Sequence, residues 1–557
     1  MDNSSIADNF SLLSKLMDIH GDNSFKAKSY AAAAFTIDKL PAELSELDPE
    51  KIFVIRGIGD TIGKKILEQI ETGRLLALDE YLAKTPPGII EMLRIKGLGP
   101  KKISTIWKEL ESENLGELLY ACNENRLTLY KGFGEKTQQN IKEAIEFYLG
   151  SLGSHLYQQI EPFVESVTRK LTEEFSGQQF IVTGSFRRQM EIIEIPEWVT
   201  DLDINELCEF FTHHEYECIT GDNGYVTVQG KDNMVLGFFC CEASELYQRL
   251  FTTSCSAAFL DAWQEKTGWQ PTDIFSSEED IFKAAGIAFI PAFGREDARV
   301  IDAYRTGTPR EVIQPGDIRG IIHTHSKWSD GSHTIEQMAR SAMAQGYEYL
   351  VISDHSRSAF YANGLDEARL EAQHREIDEL NRMLTPFRIF KSIESDILND
   401  GNLDYPAEVL ARFDLVIASV HSNLKMTEDK AMARLLQAIQ NPYTSILGHM
   451  TGRLLLSRAG YPVDHQKIID ACAAHQVVIE LNAHPRRLDM DWRWIPAALD
   501  KGVLISIDPD SHSADSFSDC RFGVLAAQKG GLTRENNLSS FSLPEFEAFL
   551  QTQHAKR

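Results

Sequence analysis

No stretch of these 557 residues approaches the roughly 18 consecutive apolar residues of a membrane-spanning helix, so no span is expected. The opening Met1-Asp2-Asn3-Ser4-Ser5 has neither the basic nor the apolar stretch of a secretory signal. Cysteine is scarce and irregular. The eight, at 122, 208, 218, 240, 241, 255, 472 and 520, include no C-x-x-C and no framework spacing, which fits a reducing cytoplasm. Positive charge is also short, with 56 Lys and Arg against 82 Asp and Glu and a net of −26, which excludes a protein that binds a polyanion over its whole surface. Residues 1–150 are closer to balance, 19 basic against 23 acidic, so any contact with nucleic acid has to be local. What remains is an ordinary globular composition, long enough for roughly three to five domains.

The C-terminal half is organised around Ile321-Ile322-His323-Thr324-His325-Ser326-Lys327-Trp328-Ser329-Asp330-Gly331. An apolar run ending in histidines at i and i+2 reads as a strand whose two imidazoles point the same way, because strand side chains alternate with period two. With Asp330 five residues further on, the set suits a transition ion such as Zn, Mn or Fe. The plainer alternative for an isolated H-x-H is a chance pair on an exposed strand. Later apolar runs, however, keep ending in candidate ligands. Residues 349–352 run into Asp354-His355, 388–393 into Glu394, 415–420 into His421, 445–448 into His449, and 503–507 into Asp508-Pro509-Asp510-Ser511-His512. Residues 477–482 are a similar run without an obvious ligand. Helix-length segments such as 334–345 and 366–384 separate the runs, which predicts βα units and a parallel sheet. In a closed βα barrel the C-terminal strand ends meet at one face, so these distant residues would converge.

At the other end, residues 9–35 predict helix, with Phe10, Leu12, Leu13, Leu16, Met17 and Ile19 on an apolar face and a second helix opening over 25–30. Three related pieces follow. Gly57-Ile58-Gly59 precedes Lys64 and Lys65, Gly97-Leu98-Gly99 precedes Lys101 and Lys102, and Gly132-Phe133-Gly134 precedes Lys136. Each is a glycine–apolar–glycine turn followed by an amphipathic helix with lysine near its start. Glycine permits a tight turn and close backbone approach, and free amides at a helix N-terminus accept a phosphate. One such turn is more often a helix cap. Three between residues 57 and 136 resemble helix-hairpin-helix motifs, which implies a grip on the DNA backbone that does not read sequence.

Residues 316–557 resemble the PHP (polymerase and histidinol phosphatase) domain, a distorted seven-stranded (β/α) barrel. The resemblance rests on His323-x-His325 with Ser329-Asp330-Gly331, then Ser353-Asp354-His355, Glu394, Ser419-Val420-His421-Ser422, Gly448-His449 and Asp510-Ser511-His512. It implies up to three metal ions held by nine ligands: His323, His325, Asp330, His355, Glu394, His421, His449, Asp510 and His512. Glu394 would bridge two ions, and the family's Asp-x-His spacing favours Asp510 over Asp508. A water held by this cluster would be the nucleophile, and Arg453 either a phosphate contact or a structural salt bridge. Residues 151–312 resemble the palm and thumb of a family X DNA polymerase. Gly184-Ser185-Phe186-Arg187-Arg188 matches the signature that contacts nucleotide phosphates, and Phe251-Thr252-Thr253-Ser254 and Phe289-Ile290-Pro291-Ala292 are similar to two later turns of that family.

Taken together, the chain resembles a bacterial family X polymerase with a C-terminal PHP domain, a multidomain α+β and α/β protein. The expected divisions are a helical N-terminal domain with one helix-hairpin-helix (1–80), a fingers-like domain with two (81–150), a degenerate palm (151–245), a thumb-like segment (246–315) and the PHP barrel (316–557). The palm is called degenerate because the family's Asp-x-Asp, eleven and thirteen residues after the signature glycine, falls on Ile195 and Glu197, and the third carboxylate position falls on Val235. Asp201-Leu202-Asp203 would restore the pair only across a six-residue insertion. An apolar residue holds no ion, so the palm is expected to be catalytically inactive. Lys65 stands where some relatives place a Schiff-base lysine for abasic sugar, although a solvated helix lysine is the plainer reading. The expected protein is a cytoplasmic, sequence-independent binder of gapped, nicked or 3′-ended DNA and a metal-dependent phosphoesterase. The resemblance implies 3′→5′ exonuclease activity, with abasic-site cleavage a further possibility, in DNA repair. It would use two or three divalent ions, Mn²⁺ first and Zn²⁺ or Fe²⁺ next, as a monomer, with nucleotide binding by the palm left open. The alternatives are an active gap-filling polymerase, a small-molecule phosphatase of the histidinol-phosphate type, and a non-catalytic DNA-binding scaffold.

Overall fold

The computed structural model describes residues 1–557 except 41, 151–152, 231–233 and 307–310. It forms two compact units, Met1–Tyr148 and Leu149–Arg557. The expected boundary at 150/151 and part of the expected 246–315 segment fall on residues outside those described.

The first unit is helical. Asn3–His20 begins earlier than expected because Asp2 caps it, accepting from the Ser5 N–H, and it ends where Gly21 turns to φ +80°. Asn23 then caps Ser24–Asp38. The apolar faces of the two helices meet, with Phe10 stacked on Tyr30 at 5.7 Å and Ile6, Leu13, Leu16 and Ile19 buried beside them. The three glycine turns lead into Asp60–Thr72, Pro100–Lys108 and Glu135–Gly150.

The second unit begins with a five-stranded sheet made of β1 (Phe180–Thr183), β2 (Glu197–Thr200), β3 (Glu217–Thr220), β4 (Tyr225–Gln229) and β5 (Val235–Cys240), in the order β1-β2-β5-β4-β3. Only β2 and β5 pair in parallel. Trp198 of β2 stacks on Phe238 of β5 at 5.3 Å in its core. Cys218 on β3 is disulfide-bonded to Cys208 on Ile204–His213, contrary to the expectation of reduced cysteines. Helices Leu246–Thr253, Ala257–Thr267 and Glu278–Ala284 pack around Phe251, Trp263 and Phe282.

The remainder is a nearly closed barrel of seven parallel strands: β6 (Gly320–Thr324), β7 (Tyr349–Ile352), β8 (Arg388–Asp396), β9 (Leu415–Ser419), β10 (Ile446–Leu447), β11 (Val478–Asn482) and β12 (Ile505–Asp508). Each strand lies beside its sequence neighbour, and Ser511, just past β12, bridges back to Thr324 of β6. The predicted helices appear at Ile335–Ala344, where Thr334 and Gln337 form a capping box, and at Glu367–Met383, capped by Asp366. Along the strands alternate residues serve two cores. Ile321, Leu350, Ile352, Val416 and Ala418 pack outward against the helices, while Ile322, Tyr349, Val351, Leu415 and Ile417 pack inward. Burial on both faces explains why these strands read as continuous apolar runs. Phe546 and Leu550 of the last helix, Leu543–His554, join the inner core, Phe546 stacking on Tyr349 at 4.5 Å. Polar contacts tie the barrel to the five-stranded region. Arg521 pairs with Glu161, Arg493 with Glu191 at 3.4 Å, and Lys529 donates to the Arg188 carbonyl at 2.7 Å.

Candidate metal centre and nucleic-acid interface

All nine expected ligands gather at the C-terminal ends of the barrel strands. The donor atoms of His325, Asp330, His355 and His512 form one group, those of His323, His325 and Asp510 a second, and those of His355, Glu394 and His421 a third, each within 4.8 Å. His449 joins through Nε2, which lies 2.9 Å from Glu394 Oε1. Glu394 is central. Its Oε1 lies 3.0 Å from His421 Nε2 and 3.3 Å from His323 Nε2, while its Oε2 lies 3.0 Å from His355 Nδ1. One carboxylate thus offers its two oxygens to two different sets of imidazoles. Inward parity places it: Phe390 belongs to the inner core, so Ser392, Glu394 and Asp396 face the same interior.

The H-x-H pair converges for a reason different from the one its spacing suggested. Ile321 faces outward, so strict alternation would send His323 and His325 outward too. Instead the β6–β7 register shifts between Ile321 and Thr324, and His323 takes φ +60°, which brings both rings inside with centroids 5.3 Å apart. Asp510 at φ +52° is likewise left-handed. Such backbone persists in non-glycine residues only where surrounding contacts over-determine it.

Two contributors to the centre, Glu480 and Asp396, carried no motif. Glu480 accepts from His323 Nδ1 and, at 2.6 Å, from the backbone N–H of His449. It lies on β11, the strand with no evident ligand, and its signal was parity with the inward-facing Val478. Asp396 Oδ1 holds His421 Nδ1 at 2.6 Å. Asp354 anchors the ligand loop, accepting from the Ser326 N–H and Oγ at 2.7 Å each. Asp508, the rival of Asp510, accepts from Ser506 at 2.6 Å, whereas Asp510 Oδ1 lies 3.1 Å from His325 Nε2. Arg453 pairs with Asp491 at 2.6 Å and donates to the carbonyls of Arg487 and Leu488.

The donor set fits a divalent transition ion. Among the described residues, His323 Nε2, both ring nitrogens of His355 and Glu394 Oε2 are buried close to one another without making a well-directed hydrogen bond. Leaving such atoms unsatisfied is costly, and a cation answers them together. Burial, with His512 and His355 beside it, pushes His325 down to about 3, and burial with Arg487 does the same to His449, keeping both imidazoles in the neutral form that ligates. Burial opposes ionisation of Glu394, but His421, His323 and His355 hold it well below the usual carboxylate range.

In the five-stranded sheet, Glu197 lies against the signature turn. Gly184 has φ +64°, and a Cβ there would meet Glu197 Oε2 at 2.0 Å. Glu197 pairs with Gly237 of β5, and Val235 pairs with Gln229, so no carboxylate stands opposite it in register. Asp201 and Asp203 do not restore the pair. Thr183 pairs with Glu197 and Phe180 with Thr200, which puts Asp201 and Asp203 past the opposite end of β2. There Asp201 accepts from the Gln179 N–H at 2.7 Å and Asp203 caps Ile204–His213. The signature arginines are held internally, Arg187 by Ser254 at 2.8 Å and Glu278 at 3.0 Å, Arg188 by the Cys255 carbonyl at 3.0 Å and Glu296 at 2.7 Å. Ser185, between Gly184 and these arginines, is partly buried.

The three glycine turns share one geometry. Gly57, Gly97 and Gly132 have φ of +93°, +92° and +96°, a conformation that requires glycine. Ile58, Leu98 and Phe133 are buried, while Gly59, Gly99 and Gly134 are exposed with open space where a Cβ would be. Gly59 and Gly99 begin helices that have no side-chain cap, so the N–H groups of the first turn, which Pro100 lacks, are open to an anion. Lys64, Lys101 and Lys136 are exposed, Lys65 is half-buried, and Lys102 donates to the Gly97 carbonyl at 3.2 Å.

Comparison with known proteins agrees with both regions. The family model of the helix-hairpin-helix domain matches residues 1–75, and that of the SAM-like helix-hairpin-helix tandem matches 89–146. Probable phosphatases cover the C-terminal part. One from Thermoanaerobacter sp. (strain X514) is 26% identical over 39% of this chain and 88% of its own, and one from Vibrio parahaemolyticus is 25% identical over 42% and 99%. The DNA polymerase/3′-5′ exonuclease PolX of Bacillus subtilis (strain 168) is 32% identical over 96% of this chain and 97% of its own length. With a relative of that identity aligned almost end to end, this chain belongs to the PolX family of DNA polymerase/3′-5′ exonucleases.

Proposed function

We propose that this chain is a metal-dependent 3′→5′ exonuclease acting on DNA ends or gaps, with the barrel as its catalytic centre and an inactive palm. The observation that carries the reading is the convergence of eight His, Asp and Glu side chains into three groups that overlap through His325 and His355, with His449 joining through Glu394. Divalent ions bound there would neutralise phosphate charge and acidify a water, which is the chemistry phosphodiester hydrolysis needs. His323, His325, Asp330, His355, Glu394, His421, His449, Asp510 and His512 would hold them, with Mn²⁺ the first choice and Zn²⁺ or Fe²⁺ next. The chain's own part is to hold His325 and His449 neutral and Glu394 ionised in a buried pocket and to keep Glu394 between two sets of ligands. The three glycine turns, with Lys64, Lys101 and Lys136 exposed, would grip the DNA backbone without reading bases. The lone Glu197, opposite Gly237, is the reason to place the chemistry in the barrel and not in the palm, where two-metal nucleotidyl transfer needs several carboxylates.

The test uses a 5′-labelled primer on a gapped template with Mn²⁺, with and without dNTPs. Shortening in both lanes, lost in His323→Ala/His325→Ala and retained in Glu197→Ala, is the expected result. Lengthening only with dNTPs would replace this reading with an active polymerase, and no change in either lane would move the substrate to small phosphate esters.

A further inference from the structure

Three of the cluster's imidazoles are held from behind through Nδ1. His323 Nδ1 meets Glu480, His421 Nδ1 meets Asp396 at 2.6 Å, and His512 Nδ1 meets the Asp510 carbonyl at 3.0 Å. In each the other nitrogen faces the cluster, with His323 Nε2 3.3 Å and His421 Nε2 3.0 Å from Glu394, and His512 Nε2 3.4 Å from Asp330. A neutral imidazole has one N–H. An acceptor behind Nδ1 puts the hydrogen there and leaves the Nε2 lone pair for an ion.

Resting on the metal reading above, we propose that Glu480 and Asp396 are positioning residues that choose the ligating nitrogen and aim the rings of this centre. Glu480 acts on two strands at once. One oxygen takes His323 Nδ1 and the other takes the His449 N–H, so a single carboxylate orients ligands from the ends of β6 and β10. Both of those residues have positive φ, +60° and +20°, so each depends on outside contacts to stay where it is. Glu480 is fully buried, as is its partner His323, and a buried carboxylate is retained only where hydrogen bonds compensate its lost hydration. Asp396 is itself fixed by Ser358 Oγ at 2.7 Å, which leaves its other oxygen for His421. Glu480 therefore supports the group of His323, His325 and Asp510, and Asp396 the group of His355, Glu394 and His421.

The experiment compares full-length wild type, Glu480→Gln and Asp396→Asn by Mn²⁺ titration, counting bound ions by elemental analysis and following the fold by circular dichroism with and without chelator. An amide offers one acceptor oxygen where a carboxylate offers two, so Glu480→Gln cannot serve both His323 and His449. Each variant is expected to bind one ion about 10–100-fold more weakly while the remaining ion or ions bind as in wild type. Glu480→Asp, which keeps both acceptors, should recover part of that loss. Should Glu480→Gln fail to fold, Asp396→Asn reads the same device at the other group. Wild-type affinity in folded variants, with only the melting temperature in chelator reduced, would overturn the positioning role and leave the metal reading intact. A wild-type chain that binds no ion would overturn both.

Discussion

Arg187, which sequence alone assigns to nucleotide phosphates, shares the buried carboxylate of Glu278 with Arg295. Burial raises the cost of ionising Glu278, but Arg187 and Arg295 outweigh it and hold its pKa below the usual 4.5. A depressed folded pKa means stability that is fully present above the unfolded value and is lost as pH falls through the folded one. Removing the anion leaves two guanidiniums facing each other, Arg295 being fully buried. Glu278→Gln is therefore expected to cost about 3 kcal/mol at neutral pH. Urea denaturation should show the gap from wild type shrinking in acid, and a constant gap would contradict the ion-pair account. The arginines themselves were legible as a signature. Their internal partners were not, because Glu278 and Glu296 lie about a hundred residues away and enter only through packing.

The glycine turns are the elements most readable from sequence, because positive φ is a requirement of the local chain and glycine is the residue that meets it cheaply. All three have it, and all three present an exposed second glycine. Lys101→Ala with Lys102→Ala should weaken binding similarly for unrelated DNA sequences and flatten the dependence of log affinity on log salt by about 1–2 units. Filter or fluorescence binding across a salt series measures this, and an unchanged slope would remove these lysines from the interface. Because Lys102 also donates to the Gly97 carbonyl, the helix content of the variant has to match wild type for the slope to count. The strand carrying His323 was legible in position but not in conformation. Period-two reasoning sends both histidines to the outer face, and only the register shift against β7 turns them in.

Because the chain divides at Tyr148/Leu149, calorimetry should resolve separate transitions for residues 1–148 and 149–557. Ions bound in the barrel stabilise only the state that holds them, by about 2.7 kcal/mol for each ion at a hundredfold excess over its Kd. Chelation should therefore lower the transition of the larger unit and leave the smaller one in place. The five-stranded region should melt with the barrel, since Arg521–Glu161, Arg493–Glu191 and Lys529–Arg188 cross between them. A third, separate transition would contradict that. By itself the sequence determined the order of the barrel strands and the glycine turns, since these follow from periodicity and backbone freedom along a short stretch of chain, and its resemblance to the PHP domain implied the nine ligand candidates. Only the tertiary structure decided that Glu480 and Asp396 stand behind the histidines, that Asp201 and Asp203 cap backbone far from Gly184, that Arg453 ties a loop, and that Cys208 meets Cys218. Apart from the local cap that Asp203 makes on the helix after it, each of those depends on which residue of another segment closes onto the same place, and no local pattern carries that information.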